Sequence, residues 1–242
     1  MRLAVVVPAF NAAAHLRDVV QRLLAARPAA LDRIIVVDDG STDDTASIAE
    51  TMANADPKTK ATVTVIRRSR NGGYGAAMKT GLQAARAAGA TCAASVHADG
   101  QYSPEALDAL LDALTRGGLD LLQGSRIAGG GALAGGMPLS KYAGNWILNK
   151  LERRVFALPL TDFHSGYLVY GARALAELPF DLLSDSFDFD MEVIASARAR
   201  RLAVGEAPIP TRYADEISYL NPVTYVMRVL RVMWRFKRGA YA

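Results

Sequence analysis

Cysteine is almost missing: Cys92 is the only one in 242 residues. An intrachain disulfide is therefore impossible, a disulfide-stapled secreted scaffold is excluded, and a reducing, cytoplasmic setting is the expectation. Long apolar runs are missing too. No uninterrupted stretch approaches the roughly 20 residues that a bilayer-spanning helix needs. Residues 3–10, ended by Pro8 and Asn11, read as a strand rather than a leader. Acids are absent from residues 223–238, which hold four arginines and one lysine, so the net charge of +4 is concentrated there. Basic residues gathered only at one end, with no base-reading motif, argue against nucleic acid as a partner. At 51% hydrophobic and 21% charged residues the chain is not a disordered one. Internal repeats are absent, and the length suits one large core, residues 1–221, with a C-terminal elaboration, 222–242.

What is present is organised around Ile34-Ile-Val-Val-Asp-Asp-Gly-Ser-Thr-Asp43. Four β-branched residues predict a strand buried on both faces, stopping at Asp38-Asp39. Gly40 permits a tight turn, and Ser41 or Thr42 is the expected cap of a helix starting near Asp43. Ligands of open parallel sheets bind beyond the carboxyl ends of strands, so the two acids are placed for hydrogen bonds to a nucleobase or ribose. Residues 3–7, 63–66, 92–96 and 119–122 read as further strands, and residues 12–27, 43–55, 72–88 and 104–114 as helices between them. That alternation predicts an α/β fold with a mostly parallel central sheet flanked by helices. Later, residues 141–156, 172–178 and 188–200 read as helices, 168–170 and 202–205 as short strands, and 209–221 as irregular. Residues 127–137 contain five glycines and three alanines and predict a mobile loop over a ligand.

Two stretches carry chemistry. Asn71-Gly-Gly-Tyr-Gly75 opens a helix, and such clusters bring backbone N–H groups close to an anion. Its spacing is neither that of a Rossmann fingerprint nor that of a P-loop. His97-Ala-Asp-Gly-Gln101 follows a strand directly, and its alternate side chains His97, Asp99 and Gln101 offer imidazole, carboxylate and amide oxygen to Mn²⁺ or Mg²⁺ facing a diphosphate.

These blocks, taken together, resemble the family 2 glycosyltransferases, and within them the polyprenyl-phosphate sugar transferases of the dolichyl-phosphate mannose synthase type. The matching residues are Val7-Pro-Ala-Phe-Asn11, Val37-Asp-Asp-Gly-Ser-Thr-Asp43, Asn71-Gly-Gly-Tyr-Gly-Ala-Ala77, His97-Ala-Asp99, Gly124-Ser-Arg126, Asp162 with Ser165-Gly166, Phe189-Asp-Met-Glu192 and Ile209-Pro-Thr-Arg-Tyr213. The resemblance covers residues 3 to 215 and implies a GT-A type fold. It also implies inversion at the anomeric carbon in one displacement, with a hexose moving from a GDP- or UDP-sugar to a polyprenyl phosphate. Pro8, Asn11, Asp38, Asp39, Gly72 and Gly75 would then hold the donor, and Asp99, with His97 and Gln101, the metal. Arg126, Lys141 and Arg212 would balance donor and acceptor charge. A phosphate needs little help from a base at neutral pH, whereas a hydroxyl acceptor requires one. Asp162, Asp190 and Glu192 stay open for that role. His97 departs from the family's usual first aspartate, and Lys141 from a common arginine. A saccharide acceptor, a sugar-nucleotide nucleotidyltransferase and a non-catalytic nucleotide-sugar-binding protein are the competing readings.

The last helix is amphipathic. Arg228, Arg231, Arg235 and Arg238 recur at three, four and three residues as one basic stripe, Tyr225, Val226, Val229, Leu230, Val232, Met233 and Phe236 cover most of the remaining circumference, and Trp234 lies near its border. This pattern predicts peripheral attachment to the inner face of a membrane through anionic headgroups, with packing on the core or a homo-oligomer interface as the other use of the helix.

Overall fold

The computed structural model describes residues 1–26, 28–54, 62–210 and 222–242. A seven-stranded sheet runs through the molecule in the order β3-β2-β1-β4-β6-β5-β7. Its strands are β1 (Leu3–Ala9), β2 (Leu31–Asp38), β3 (Thr62–Arg67), β4 (Cys92–Ser95), β5 (Leu121–Ser125), β6 (Leu168–Tyr170) and β7 (Val204–Pro208). All pairings are parallel except those of β6, which runs antiparallel to both β4 and β5.

The period of two explains the burial. In β1 and β2, Ala4, Val6, Ile35 and Val37 enter one hydrophobic cluster, while Leu3, Val5, Ile34 and Val36 enter the other. Helices cover each cluster. On the second lie α1 (Leu16–Ala26), α2 (Thr45–Ala53) and α4 (Leu107–Arg116). On the first lie α3 (Tyr74–Ala87), α7 (Ala172–Glu177), α8 (Phe189–Ala199) and α9 (Pro222–Lys237), with the end of α6 (Leu139–Phe156). Strand order reverses between β1 and β4, the place where an open α/β sheet leaves a crevice at its carboxyl edge. The ends of β1, β2, β4 and β5, and the start of antiparallel β6, all meet that edge.

Several local expectations shift. The strand expected at 119–122 is β5, displaced to Leu121–Ser125. Gln123, Gly124 and Ser125 do not look like strand residues, but β6 and β7 pair with them and Gln123 Nε2 donates to Ser165 Oγ at 2.6 Å, so tertiary pairing extends the strand. Neither Ser41 nor Thr42 caps α2. The Thr45 amide donates to Asp43 Oδ1 at 3.0 Å, while Ser41 Oγ and the Thr42 amide turn to Asn11. The mobile loop expected at 127–137 is folded: a 3₁₀ turn (Ala128–Gly130) leads into α5 (Gly131–Ala134), with Ala132 fully buried. The Ala128 amide donates to Ser125 Oγ at 2.9 Å, and a side chain at Gly131 would press on the Ile209 carbonyl at 2.8 Å. Gly131 serves close packing, whereas Gly129, Gly130 and Gly136 supply positive φ.

The basic stripe of α9 is also revised. Val229, Val232 and Met233 are buried in the first cluster, and the flanking Arg228 and Arg235 pair with Asp188 and Glu192 of the protein itself. Two of the four arginines are therefore not presented to a membrane. Among the described residues, no helix is long and apolar enough to cross one.

Candidate active site

At the ends of β1 and β2 the chain binds its own loops together. Pro8, which has no amide to give, stands beyond the last β1–β4 pair, Val6 with Ser95. Asn11 sits at φ 49°, a left-handed conformation that asparagine tolerates, and its amide donates to Ser41 Oγ at 3.0 Å while its Oδ1 accepts from the Thr42 amide at 2.9 Å. Asp38 is buried, with Oδ1 accepting from the Ser41 amide at 3.1 Å and Oδ2 only 4.0 Å from Arg67 Nε.

Asp39, expected as a nucleoside ligand, is held by the protein's own donors. Its carboxylate accepts from the Gly72 amide at 3.1 Å, the Gly73 amide at 2.8 Å and Arg68 Nη1 at 2.5 Å. The glycine cluster thus does cradle an anion, and that anion is Asp39. Gly75 serves packing: a Cβ there would lie 2.2 Å from the Ser184 carbonyl oxygen and 2.9 Å from Phe189 Cβ. Gly72 and Gly75 therefore shape the pocket wall through Asp39 and the 184–185 backbone, and the described contacts give them no direct donor role.

The β4 end holds the most reactive grouping. Tyr74 donates its hydroxyl to Asp190 Oδ2 at 2.7 Å, and His97 Nε2 lies 3.1 Å from the same hydroxyl. His97, expected as a metal ligand, thus has Nε2 engaged with Tyr74 within the protein. Burial pushes His97 below the ordinary imidazole range, so the ring is neutral at pH 7. Gly166 makes room for it, since a Cβ there would lie 2.8 Å from Nε2. Burial pushes the Asp190 carboxyl up to about 7 against the opposing hydrogen bond from Tyr74, and its Oδ1 is buried without a partner among the described residues.

Asp99 is different. It is half-buried, its Oδ1 accepts from the Gln101 amide at 2.9 Å, and among the described residues no arginine or lysine pairs with it. The contribution of Gln101 seen here is that backbone bond. No group of three or more His, Cys, Asp or Glu side chains gathers among the described residues, so a protein cage for a metal is absent there. One unpaired carboxylate still fits Mg²⁺ or Mn²⁺, because such ions are commonly held by one or two carboxylates plus substrate phosphates and water.

Arg126 and Asp162, both expected in catalysis, are spent on each other. Arg126 Nε and Nη2 reach the two Asp162 oxygens at 2.7 and 2.9 Å, and the Arg126 and His164 amides donate to the same carboxylate. Burial pushes the Asp162 carboxyl up, but the Arg126 charge and hydrogen bonds outweigh it and hold it below the usual range. It has no capacity left to act as a base. Glu192 is likewise withdrawn: fully buried, it accepts from the Ser184 amide at 2.6 Å, from Tyr241 Oη at 2.6 Å and from Arg235. It anchors the C-terminal helix. Lys141 lies in α6, but its side chain is outside the described residues, as is all of Arg212.

Sequence reasoning missed Tyr74 as the link between β4 and α8, although it stands inside the glycine motif. A tyrosine flanked by glycines at a sheet edge was the available signal. His164, which stands where the resembling family commonly has a small polar residue, has its Nδ1 2.9 Å from Tyr225 Oη and its Nε2 3.1 Å from Glu152, partners the sequence did not announce.

Residues 4–178 match Glycosyl transferase family 2. The polyprenol monophosphomannose synthase of Mycolicibacterium smegmatis is 31% identical over 86% of this chain and 76% of its own. The undecaprenyl-phosphate mannosyltransferase of Micrococcus luteus is 30% identical over 89% and 84%. Among solved structures, glucosyl-3-phosphoglycerate synthase from Mycobacterium tuberculosis, in complex with Mn²⁺, UDP-glucose and phosphoglyceric acid, superimposes with a TM-score of 0.67. That likeness comes at 18% identity and covers 100% of this chain and 80% of that one. The chain belongs to Glycosyl transferase family 2 and carries the GT-A-like fold. Its reaction class is inverting glycosyl transfer from a nucleotide sugar.

Proposed function

We propose that the acceptor is a polyprenyl phosphate, that the donor is a GDP- or UDP-linked hexose, and that Mn²⁺ or Mg²⁺ is the cofactor. The observation that carries this reading is the fate of the acids. Of the three carboxylates that a hydroxyl acceptor would call on, Asp162 and Glu192 are consumed by internal hydrogen bonds. A phosphate acceptor needs no base, because it is already largely ionised at neutral pH. Support comes also from the two relatives above, whose names specify polyprenyl phosphates. In this reading Asp38 and Asn11 face the nucleoside, Asp39 holds the glycine turn beside it, and Asp99 supplies the carboxylate for the ion. The ion, when bound, neutralises charge on the leaving diphosphate. Lys141 and Arg212 would meet the incoming phosphate.

A second reading has one observation in its favour. Asp190, with a carboxyl near 7 and an unpartnered oxygen, has the properties of a general base for a hydroxyl acceptor. The phosphoglyceric acid in the M. tuberculosis structure shows that a protein of this fold binds such a small acid. A panel of nucleotide sugars crossed with polyprenyl phosphate, saccharide and phosphoglycerate acceptors, read by product mass, separates the two. Transfer to lipid phosphate that survives Asp190→Asn supports the first. Transfer only to hydroxyl acceptors, abolished by that substitution, establishes the second in its place.

A further inference from the structure

The largest apolar residues left exposed are concentrated on two neighbouring helices. On α6, Leu139, Trp146, Ile147 and Leu151 face outward, Trp146 at 54% and Ile147 at 62% exposure. On α9 the outward residues are Val223, Met227, Leu230 and Trp234, with Met227 at 62% and Trp234 at 60%. Their spacing explains the arrangement, because residues three, four and seven apart share one side of a helix. The inner sides of the same helices hold Asn149, Glu152, Phe156, Val229 and Val232 in the protein. The helices touch through Phe156 and Phe236, whose rings meet edge to face at 5.0 Å between centroids. Exposed apolar residues scattered singly are ordinary, but clusters on adjacent helices are not.

Charge says what covers them. Arg231, Lys237 and Arg238 flank the α9 stripe, and Lys150, Arg153 and Arg154 stand on the exposed side of α6. Neither helix exposes an acid: α9 has none, and the single acid of α6, Glu152, is fully buried. Each exposed indole carries a cation on its face, Lys150 Nζ 5.2 Å from the Trp146 centroid and the Arg238 guanidinium 5.0 Å from that of Trp234. An apolar stripe with tryptophans and basic margins is complementary to an anionic bilayer surface, with rings at headgroup depth and cations reaching the phosphates. We infer that the outer faces of α6 and α9 together form a docking surface for an anionic lipid bilayer. This deepens the polyprenyl-phosphate reading, on which its purpose rests. It also moves the contact on α9 from the whole arginine stripe to the adjacent exposed apolar face, which keeps Arg231 and Arg238 at its margin, and adds α6.

Trp146 and Trp234 are the only tryptophans in the chain, so tryptophan fluorescence, excited selectively over the nine tyrosines, reads this surface alone. With the full chain and vesicles of phosphatidylglycerol and phosphatidylcholine, acyl-chain-brominated lipid should quench that fluorescence. Phosphatidylcholine alone should do so little. Trp146→Ser with Ile147→Ser should weaken co-sedimentation at least tenfold while the circular dichroism and thermal midpoint stay near those of the parent. Absence of quenching in anionic vesicles at low salt overturns the proposal. So does undiminished binding by the double variant, or a concentration-dependent dimer that the double variant dissociates. Turnover of a short-chain, water-soluble polyprenyl phosphate is measured separately. Its loss would sink the acceptor reading and leave the vesicle result standing.

Discussion

Asp99 and Asp190 stand within one crevice edge and differ in almost every physical respect. Asp99 is half-buried and unpaired by any arginine or lysine among the described residues, which suits it to the ion-holding role proposed above. Asp99→Asn should lower kcat/KM on the order of 100-fold or more, with the thermal midpoint unchanged, as measured by product formation over a Mn²⁺ titration. Retained activity would remove Asp99 from the site. Asp190 is buried, and its carboxyl is raised from 3.8 to about 7. The native state therefore binds the extra proton between those values, so stability is highest at acid pH, falls as pH rises from about 4 to about 7, and stays reduced above. Asp190→Asn removes that loss. It should stabilise the protein at pH 8 on the order of 1–3 kcal/mol and do far less at pH 4, compared by urea unfolding at both. Equal effects at the two values would mean that Asp190 does not ionise in the folded protein.

The elements were legible in proportion to how local their causes are. The strand run from Ile34 through Val37, the alanine-rich α3 and the last helix are read from periodicity, because each buries a face set by its own spacing. The end of β5 and the folded 127–137 segment are decided by partners distant in sequence, and no local pattern announces them. The glycine cluster shows both sides. Its helix start and anion-facing amides were expected, but two of those amides close on Asp39, and Gly75 allows the approach of Ser184. Gly75→Ala should cost about 1–3 kcal/mol by overpacking and displace the Ser184–Asp185 backbone that borders the site. Denaturant unfolding and donor KM would read the two effects, and an alanine variant indistinguishable from the parent in both would contradict this packing.

At the scale of the molecule, the sheet edge gathers Asn11, Asp38 and Asp99, to which donor and ion binding are assigned in the proposed function, without a metal cage among the described residues. A chelator should therefore abolish turnover, with Mn²⁺ or Mg²⁺ restoring it, while the thermal midpoint of the unliganded protein moves little. A large drop in that midpoint on chelation would point to a structural metal instead. The C-terminal helix is bound into the same core through Val229, Val232 and Met233, and Glu192 receives both Arg235 and Tyr241 from it. The site and the proposed bilayer face are thus parts of one packed body.

Composition, strand–helix alternation and motif order sufficed, from the sequence alone, to place this chain in its fold and family. Those features report which residues need burial and which turns need glycine, and both are local demands. Whether an acid is free or spent is another matter. Asp39 looks like a nucleoside ligand in the sequence, and Asp162 and Glu192 like catalytic carboxylates, yet each finds a cationic or hydroxyl donor on a segment 29 to 49 residues away. Only the tertiary structure decides such pairings, because a buried carboxylate is tolerated where the fold brings cations and amides to it, and sequence distance carries no record of that meeting.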